Sequence, residues 1–175
     1  MSKLTMGERL LLFFRDHSKQ ETEDGSKLKF QTEHSISKEK ETESIWTKDG
    51  MRNTVSDGSN TVSISAYAYR DDDGTLGVLG TLEELFDSNK RVEIWEVDLD
   101  SENAGSYSAT YFQGYFTSFE RTAGDSAVEV SIEYAIDGKG VKGTDLLTEE
   151  QLVAINSLQY EYQSIKALGT TTGGE

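Results

Sequence analysis

Thr61-Val62-Ser63-Ile64-Ser65-Ala66-Tyr67-Ala68-Tyr69 places Val62, Ile64, Ala66 and Ala68 on one side and Ser63, Ser65, Tyr67 and Tyr69 on the other. That period of two belongs to a half-buried β-strand. Residues 127–136 repeat it, with Val128, Val130, Ile132, Tyr134 and Ile136 inward. Working outward, residues 9–14 and 27–33 read as strands, the second with Leu28 and Phe30 on one face. Residues 92–99 are apolar on both faces, Val92 and Ile94 and then Trp95, Val97 and Leu99, as in a bulged or two-sided strand. Residues 107–119 carry Tyr107, Tyr111, Phe112, Tyr115, Phe116 and Phe119, residue types that suit a pleated surface.

Two helices interrupt the strands. Leu76, Leu79, Leu82, Leu85 and Phe86 recur at spacings of three and four, with Glu83, Glu84 and Asp87 opposite. Gly77 and Gly80 weaken the first turn, and Thr81-Leu82-Glu83-Glu84 reads as a capping box, so the firm part of this helix is residues 82–88. A second box, Thr148-Glu149-Glu150-Gln151, predicts a short helix to about Asn156. Residues 158–165 read as a return to strand, and residues 169–175 as a Gly/Thr tail.

Residues 34–60 stand apart. They are mostly Lys, Glu, Ser and Thr, with Ile36, Ile45, Trp46, Met51 and Val55 as the large apolar groups. Loops longer than about 12–15 residues are uncommon inside a compact domain and are usually functional or disordered. The expectation is a long hairpin-like arm that cannot bury itself and orders only on assembly. Ile36, Ile45, Trp46 and Met51 are its candidate contact residues, because a Trp on a polar arm reads as an anchor. Strands that do not alternate regularly with helices point to one mainly β domain, an antiparallel sandwich or barrel with one packed helix. The domain spans residues 1–175, with the arm at 34–60 and a C-terminal helix and arm at 145–175.

The composition restricts the function classes. A net charge of −15, from 32 acids against 17 bases, is the wrong balance for gripping nucleic acid, which needs clustered Lys and Arg. Without cysteine there is no disulfide, Cys₄ zinc or thiol chemistry. The first residues lack a signal-peptide pattern and the longest apolar run is Leu10–Phe14, so synthesis in the cytoplasm and no membrane span are expected. There is no proline, where about nine would be expected at a usage of ~5%. Proline removes ladder donors, so its absence suits a backbone committed to sheet pairing, some of it between subunits.

Several motifs invite chemistry and fail on context. Gly138-Lys139-Gly140-Val141-Lys142-Gly143 matches a dinucleotide fingerprint, but no βαβ unit surrounds it, so it reads as a Gly-rich turn. Asp71-Asp72-Asp73-Gly74 lacks the spacing of a calcium loop. His17 and His34 have no neighbouring residues arranged as a triad or zinc site. With so many acids, pairs such as Glu149-Glu150 arise by chance and do not indicate glycosidase chemistry. No catalytic residue, cofactor or metal is expected.

Three segments taken together resemble the major tail proteins of siphophages infecting Gram-positive bacteria. They are Lys27-Leu28-Lys29-Phe30-Gln31-Thr32-Glu33-His34 running on to Thr47-Lys48-Asp49-Gly50; Val92-Glu93-Ile94-Trp95-Glu96-Val97; and residues 109–120, Ala-Thr-Tyr-Phe-Gln-Gly-Tyr-Phe-Thr-Ser-Phe-Glu. The third is followed by residues 128–134, Val-Glu-Val-Ser-Ile-Glu-Tyr, and 147–151, Leu-Thr-Glu-Glu-Gln. The resemblance implies the phage tail tube fold: a β-sandwich or barrel with a flanking helix, a structural virion protein and not an enzyme. It implies hexameric rings stacked into a tube through a long loop and terminal arms. The implied partners are further copies of the chain, the tape measure protein, and the tail terminator and distal tail proteins, with DNA passing unbound. Such a protein is made in the bacterial cytoplasm and resides in the virion tail. A competing reading from another class is a β-sandwich that binds carbohydrate or a receptor, in a phage baseplate or secreted enzyme, with the aromatic strand at 107–119 as its platform.

Overall fold

In the computed structural model, which describes residues 2–156, one antiparallel sheet runs through the chain in the order β2-β1-β5-β6-β7-β4-β3, with β8 beside β6. The strands are β1 (Leu10–Asp16), β2 (Ser26–Lys27), β3 (Gln31–Thr47), β4 (Gly50–Tyr67), β5 (Val92–Asn103), β6 (Ser106–Thr122), β7 (Glu129–Ile136) and β8 (Val141–Leu146). Two helices complete it: α1 (Gly77–Asp87) and α2 (Glu149–Asn156). The expected strand at residues 158–165 and the tail lie outside the described residues.

The alternating positions do what their period requires. Val62, Ile64 and Ala66 of β4 and Val130, Ile132, Tyr134 and Ile136 of β7 are buried together with Leu12 and Phe14 of β1, Val92 and Ile94 of β5, and Phe112 and Phe116 of β6. Strands from opposite ends of the strand order therefore share one core, so the sheet is curled on itself. The curl brings the β3 edge against an interior strand, where Nε2 of His34 on β3 lies 2.6 Å from Oε2 of Glu96 on β5. Leu79, Leu82 and Leu85 of α1 close the core on one side.

β5 is two-sided as expected, but without a bulge between Val92 and Asp98, where its register with β1 and β6 is continuous. Its second face carries Val97 and Leu99, which pack with Phe13, Trp95 and Tyr107 beneath Leu147 and Ile155 of the C-terminal segment. The box that opens α2 is reciprocal: the Gln151 N–H donates to Oγ1 of Thr148 (3.2 Å) while the Thr148 N–H donates to Oε1 of Gln151 (2.8 Å).

Three expectations change. The strand at 27–33 is broken, because Phe30 adopts φ +55 and its carbonyl accepts from the Tyr67 N–H at 3.0 Å. Leu28 is buried and Phe30 is not, so the two do not share a face. The first helix is continuous from Gly77 through its weakened turn, and Thr81 is not its cap but sits inside it with Oγ1 donating to the Gly77 carbonyl (3.3 Å). Gly77, read as a weakness, makes the start possible: its φ is +53, and a Cβ there would strike the Asp71 carboxylate. The arm at 34–60 is not an unordered segment within the single chain, since β3 and β4 pair along its whole length to the turn at Thr47 and Gly50.

Candidate assembly surfaces

The β3–β4 hairpin passes from core to solvent at a bulge, where the pairing shifts between Lys38 and Lys40. Gly58 stands at the bulge, and a Cβ there would lie 3.0 Å from the Glu39 carbonyl oxygen. Asn60 fastens this point: its amide accepts from the Glu39 N–H (3.2 Å) and donates to the Gly138 carbonyl (2.6 Å). Asp57 is gripped by Lys40 and by Lys139, whose Nζ lies 3.2 Å away. Hydrogen bonds from these two lysines lower its pKa. The Gly-rich segment is thus the β7–β8 turn, with Gly138 and Gly140 at φ +72 and +79, and it anchors the arm.

Beyond the bulge the register sorts the candidate contact residues. Trp46 pairs with Met51, and Thr42 with Val55, so Trp46, Met51 and Val55 share one face, with exposures of 79, 51 and 64%. Ile45 pairs with Arg52 on the opposite face. Ile36 is at the base, paired with Val62 and packed on the core, far from the tip. Val55 is not among the contacts expected from the sequence. Counting outward from the turn at Thr47 and Gly50 would have aligned it with Trp46.

The outer face of β3, β4, β7 and β6 forms a second surface. Register places Glu33, Ser65, Ser131 and Glu120 in one row, Ser35, Ser63, Glu133 and Ser118 in the next, and Ser37, Thr61, Ala135 and Tyr115 in a third. Tyr67, Glu129 and Thr122 add a fourth across β4, β7 and β6. These rows hold four glutamates, small side chains and two tyrosines, and neither lysine nor arginine. Oγ of Ser63 donates to Glu133 at 2.7 Å. Arg121 lies on the other face of β6, 2.5 Å from Glu83 of α1.

The aromatic strand does not form a platform. Phe112 and Phe116 are in the core, Phe119 packs on Phe86, Tyr111 lies against Trp95, and Tyr115 is exposed. Consecutive strand positions face opposite ways, which separates the rings that sequence proximity had grouped. Tyr111 also donates to Glu93, a fully buried carboxylate that accepts from Arg15 Nε (2.6 Å) and from Gln20. Burial raises the Glu93 pKa, and the hydrogen bonds from Arg15, Tyr111 and Gln20 outweigh that and lower it overall. The acidic turn is also accounted for by protein contacts: Asp73 accepts from the Thr75 N–H (2.9 Å) and Asp71 pairs with Lys29 (3.2 Å). No helix among the described residues is long and apolar enough to cross a membrane.

A curled antiparallel sheet with a long outlying hairpin, one flanking helix and a bare acidic face is an architecture suited to assembly. The family profile for phage tail tube proteins matches residues 5–142. The chain belongs to that family. A relative described as a tail protein of Staphylococcus phage phiMR25 is 28% identical over 171 residues, covering 95% of this chain and 85% of its own length. The tail tube of phage SPP1, solved by solid-state NMR and cryo-electron microscopy, superposes with a TM-score of 0.68 at 19% identity, covering 97% of this tail tube protein and 95% of that chain. The tail of an empty gene transfer agent particle, refined with helical C6 symmetry, shares the fold with a TM-score of 0.58 at 14% identity over 79% of this chain and 98% of its own. The carbohydrate-binding alternative thus gives way to a tail tube protein, a structural component of the phage tail.

Proposed function

We propose that six copies of this chain close into a ring, that the rings stack into the tail tube, and that the β3-β4-β7-β6 outer face lines its lumen. The observation that carries this reading is the run of rows with glutamates, small side chains and no base. DNA binds a wall by exchanging condensed counterions for Lys and Arg, and each phosphate neutralised adds affinity at every ring passed. A wall of glutamate and hydroxyl groups offers no such exchange. Its repulsion is screened beyond about 8 Å at physiological salt, so it acts as a non-stick surface and not as a barrier. The edges at β2 and β3 end the strand order and become paired when neighbouring sheets join side by side. In this role the protein is non-enzymatic. It encloses the tape measure protein, meets the tail terminator and distal tail proteins at its ends, and passes from the bacterial cytoplasm into the virion.

A second account, that the acids only keep a concentrated protein soluble, treats all acidic positions alike. Changing Glu33, Glu120, Glu129 and Glu133 to Lys separates the two. Tubes should still form, as seen by negative-stain microscopy, and DNA ejection should slow, whereas four reversals elsewhere on the surface should leave it unchanged. Equal ejection from both variants would leave the solubility account alone, and discrete monomers at high concentration would remove the tube.

A further inference from the structure

A cavity of about 630 Å³ opens at the seam where the curled sheet fails to close, between β1 and β3. Leu10, Leu28, Phe30 and Ile36 line it, Glu8 and Glu96 lie along it, and Phe30 is 44% exposed there. Gln31 also lines it, and its Nε2 is buried with no hydrogen-bond partner among the described residues. The cavity lies at the foot of β3, while Trp46 stands at the other end of the same strand. Twelve residues of strand separate His34 from Trp46, roughly 40 Å at ~3.3 Å per residue.

We propose that the hairpin tip of one copy seats in this seam of a copy in the adjacent ring, with Trp46 and Met51 entering among Leu10, Leu28, Phe30 and Ile36. The inference rests on the ring-stacking tube proposed above and names the surface that the arm meets. A knob and a socket at opposite ends of one strand make a heterologous contact, which propagates along an axis when its rotation does not close a ring. The charges agree. In a chain of net charge −15, the tip carries Lys48 and Arg52 against Asp49, while the socket lining carries Glu8, Glu33 and Glu96 against Lys27, with Glu96 held by His34. A Trp anchor in an apolar pocket, ringed by charge, is the usual anatomy of a binding hot spot.

The absence of native cysteine makes the test direct. Tubes of full-length Glu8→Cys/Lys48→Cys protein are oxidised and run on a non-reducing gel. The two positions are too far apart to join within one chain, so the proposal expects a ladder extending beyond six copies. Mixed tubes of the two single variants, Glu8→Cys and Lys48→Cys, should give a disulfide-linked heterodimer. Adding Trp46→Ala to the double variant should abolish the ladder. A ladder ending at six would place the contact within a ring and overturn the proposal. So would unlinked monomers in well-formed tubes. In a chain lacking residues 41–56, normal stacking would remove the arm reading itself. Lost stacking in that chain, combined with no disulfide between Glu8→Cys and Lys48→Cys, would leave the arm in place and remove only this socket.

Discussion

Glu93 shows how much a single position decides. It is fully buried on β5, its charge held by Arg15, Gln20 and Tyr111. Removing one partner of a buried pair strands the other, so Glu93→Ala should cost about 3–5 kcal/mol in denaturant melts at neutral pH. A loss under about 1 kcal/mol would mean that water reaches Arg15 freely. The same carboxylate sets an acid limit. Its folded-state pKa lies below the unfolded value, 4.5 for a free glutamate, so its stabilisation is complete above that value and is lost as pH falls through the lowered one. Glu93→Gln should therefore unfold less steeply on acidification than the parent protein, as followed by circular dichroism against pH. Asp16 works in the same direction, since hydrogen bonds from Ser18 and Lys90 outweigh the effect of its burial and lower its pKa. Little of this is legible beforehand: Glu93 in Val-Glu-Ile-Trp-Glu looks like any solvent-facing strand acid, and only the covering by neighbouring elements makes it internal.

Among elements, α1 and the β5–β6 turn behave in opposite ways. The spacing of Leu79, Leu82 and Leu85 marks the buried face of α1 correctly, and Leu85→Ala should cost about 2–5 kcal/mol, as for other buried leucines. A loss below about 1 kcal/mol would show that face to be loosely packed. The capping box at Thr81 does not form because an earlier turn, which sequence spacing does not reveal, starts the helix at Gly77. Asp71 accepts at its backbone from Gly74 and donates to Thr75, and this turn delivers Gly77 in the left-handed region. In the β5–β6 turn, Ala104 and Gly105 both have positive φ, 53 and 81. Left-handed backbone costs an alanine about 1–2 kcal/mol, and asparagine bears it more easily. Ala104→Asn should therefore raise stability by about 1 kcal/mol, read as a shift in the denaturant midpoint. An unchanged or lower midpoint would show that the turn relaxes without strain.

At the scale of the whole molecule, the arm and the face proposed to line the lumen are separable parts of one sheet. Replacing residues 41–56 by a two-residue turn cuts the hairpin beyond its bulge and leaves Ile36, Asn60 and the core untouched. The shortened chain should melt within about 0.5 kcal/mol of the parent, as surface changes do, yet fail to form tubes. Normal tubes from it would take the arm out of the stacking contact. A fall in stability comparable to a core mutation would show instead that the exposed ladder supports the domain.

The sequence by itself determined the class of structure, because period two and period 3.6 are local properties of a chain with one face to bury. Val62, Ile64, Ala66 and Val130, Ile132, Tyr134 are inward wherever their strands are placed. It also determined the absence of proline, the acidic balance and the α2 cap, all of which are local properties of the chain. Tertiary structure alone decided which strands meet. It separated Phe112 and Phe116 from Tyr111 and Tyr115, brought His34 to Glu96, and aligned Glu33, Ser65, Ser131 and Glu120 in one row. Those relations join residues far apart in sequence through register and curl, which are set by the packing of the whole core and by no local pattern.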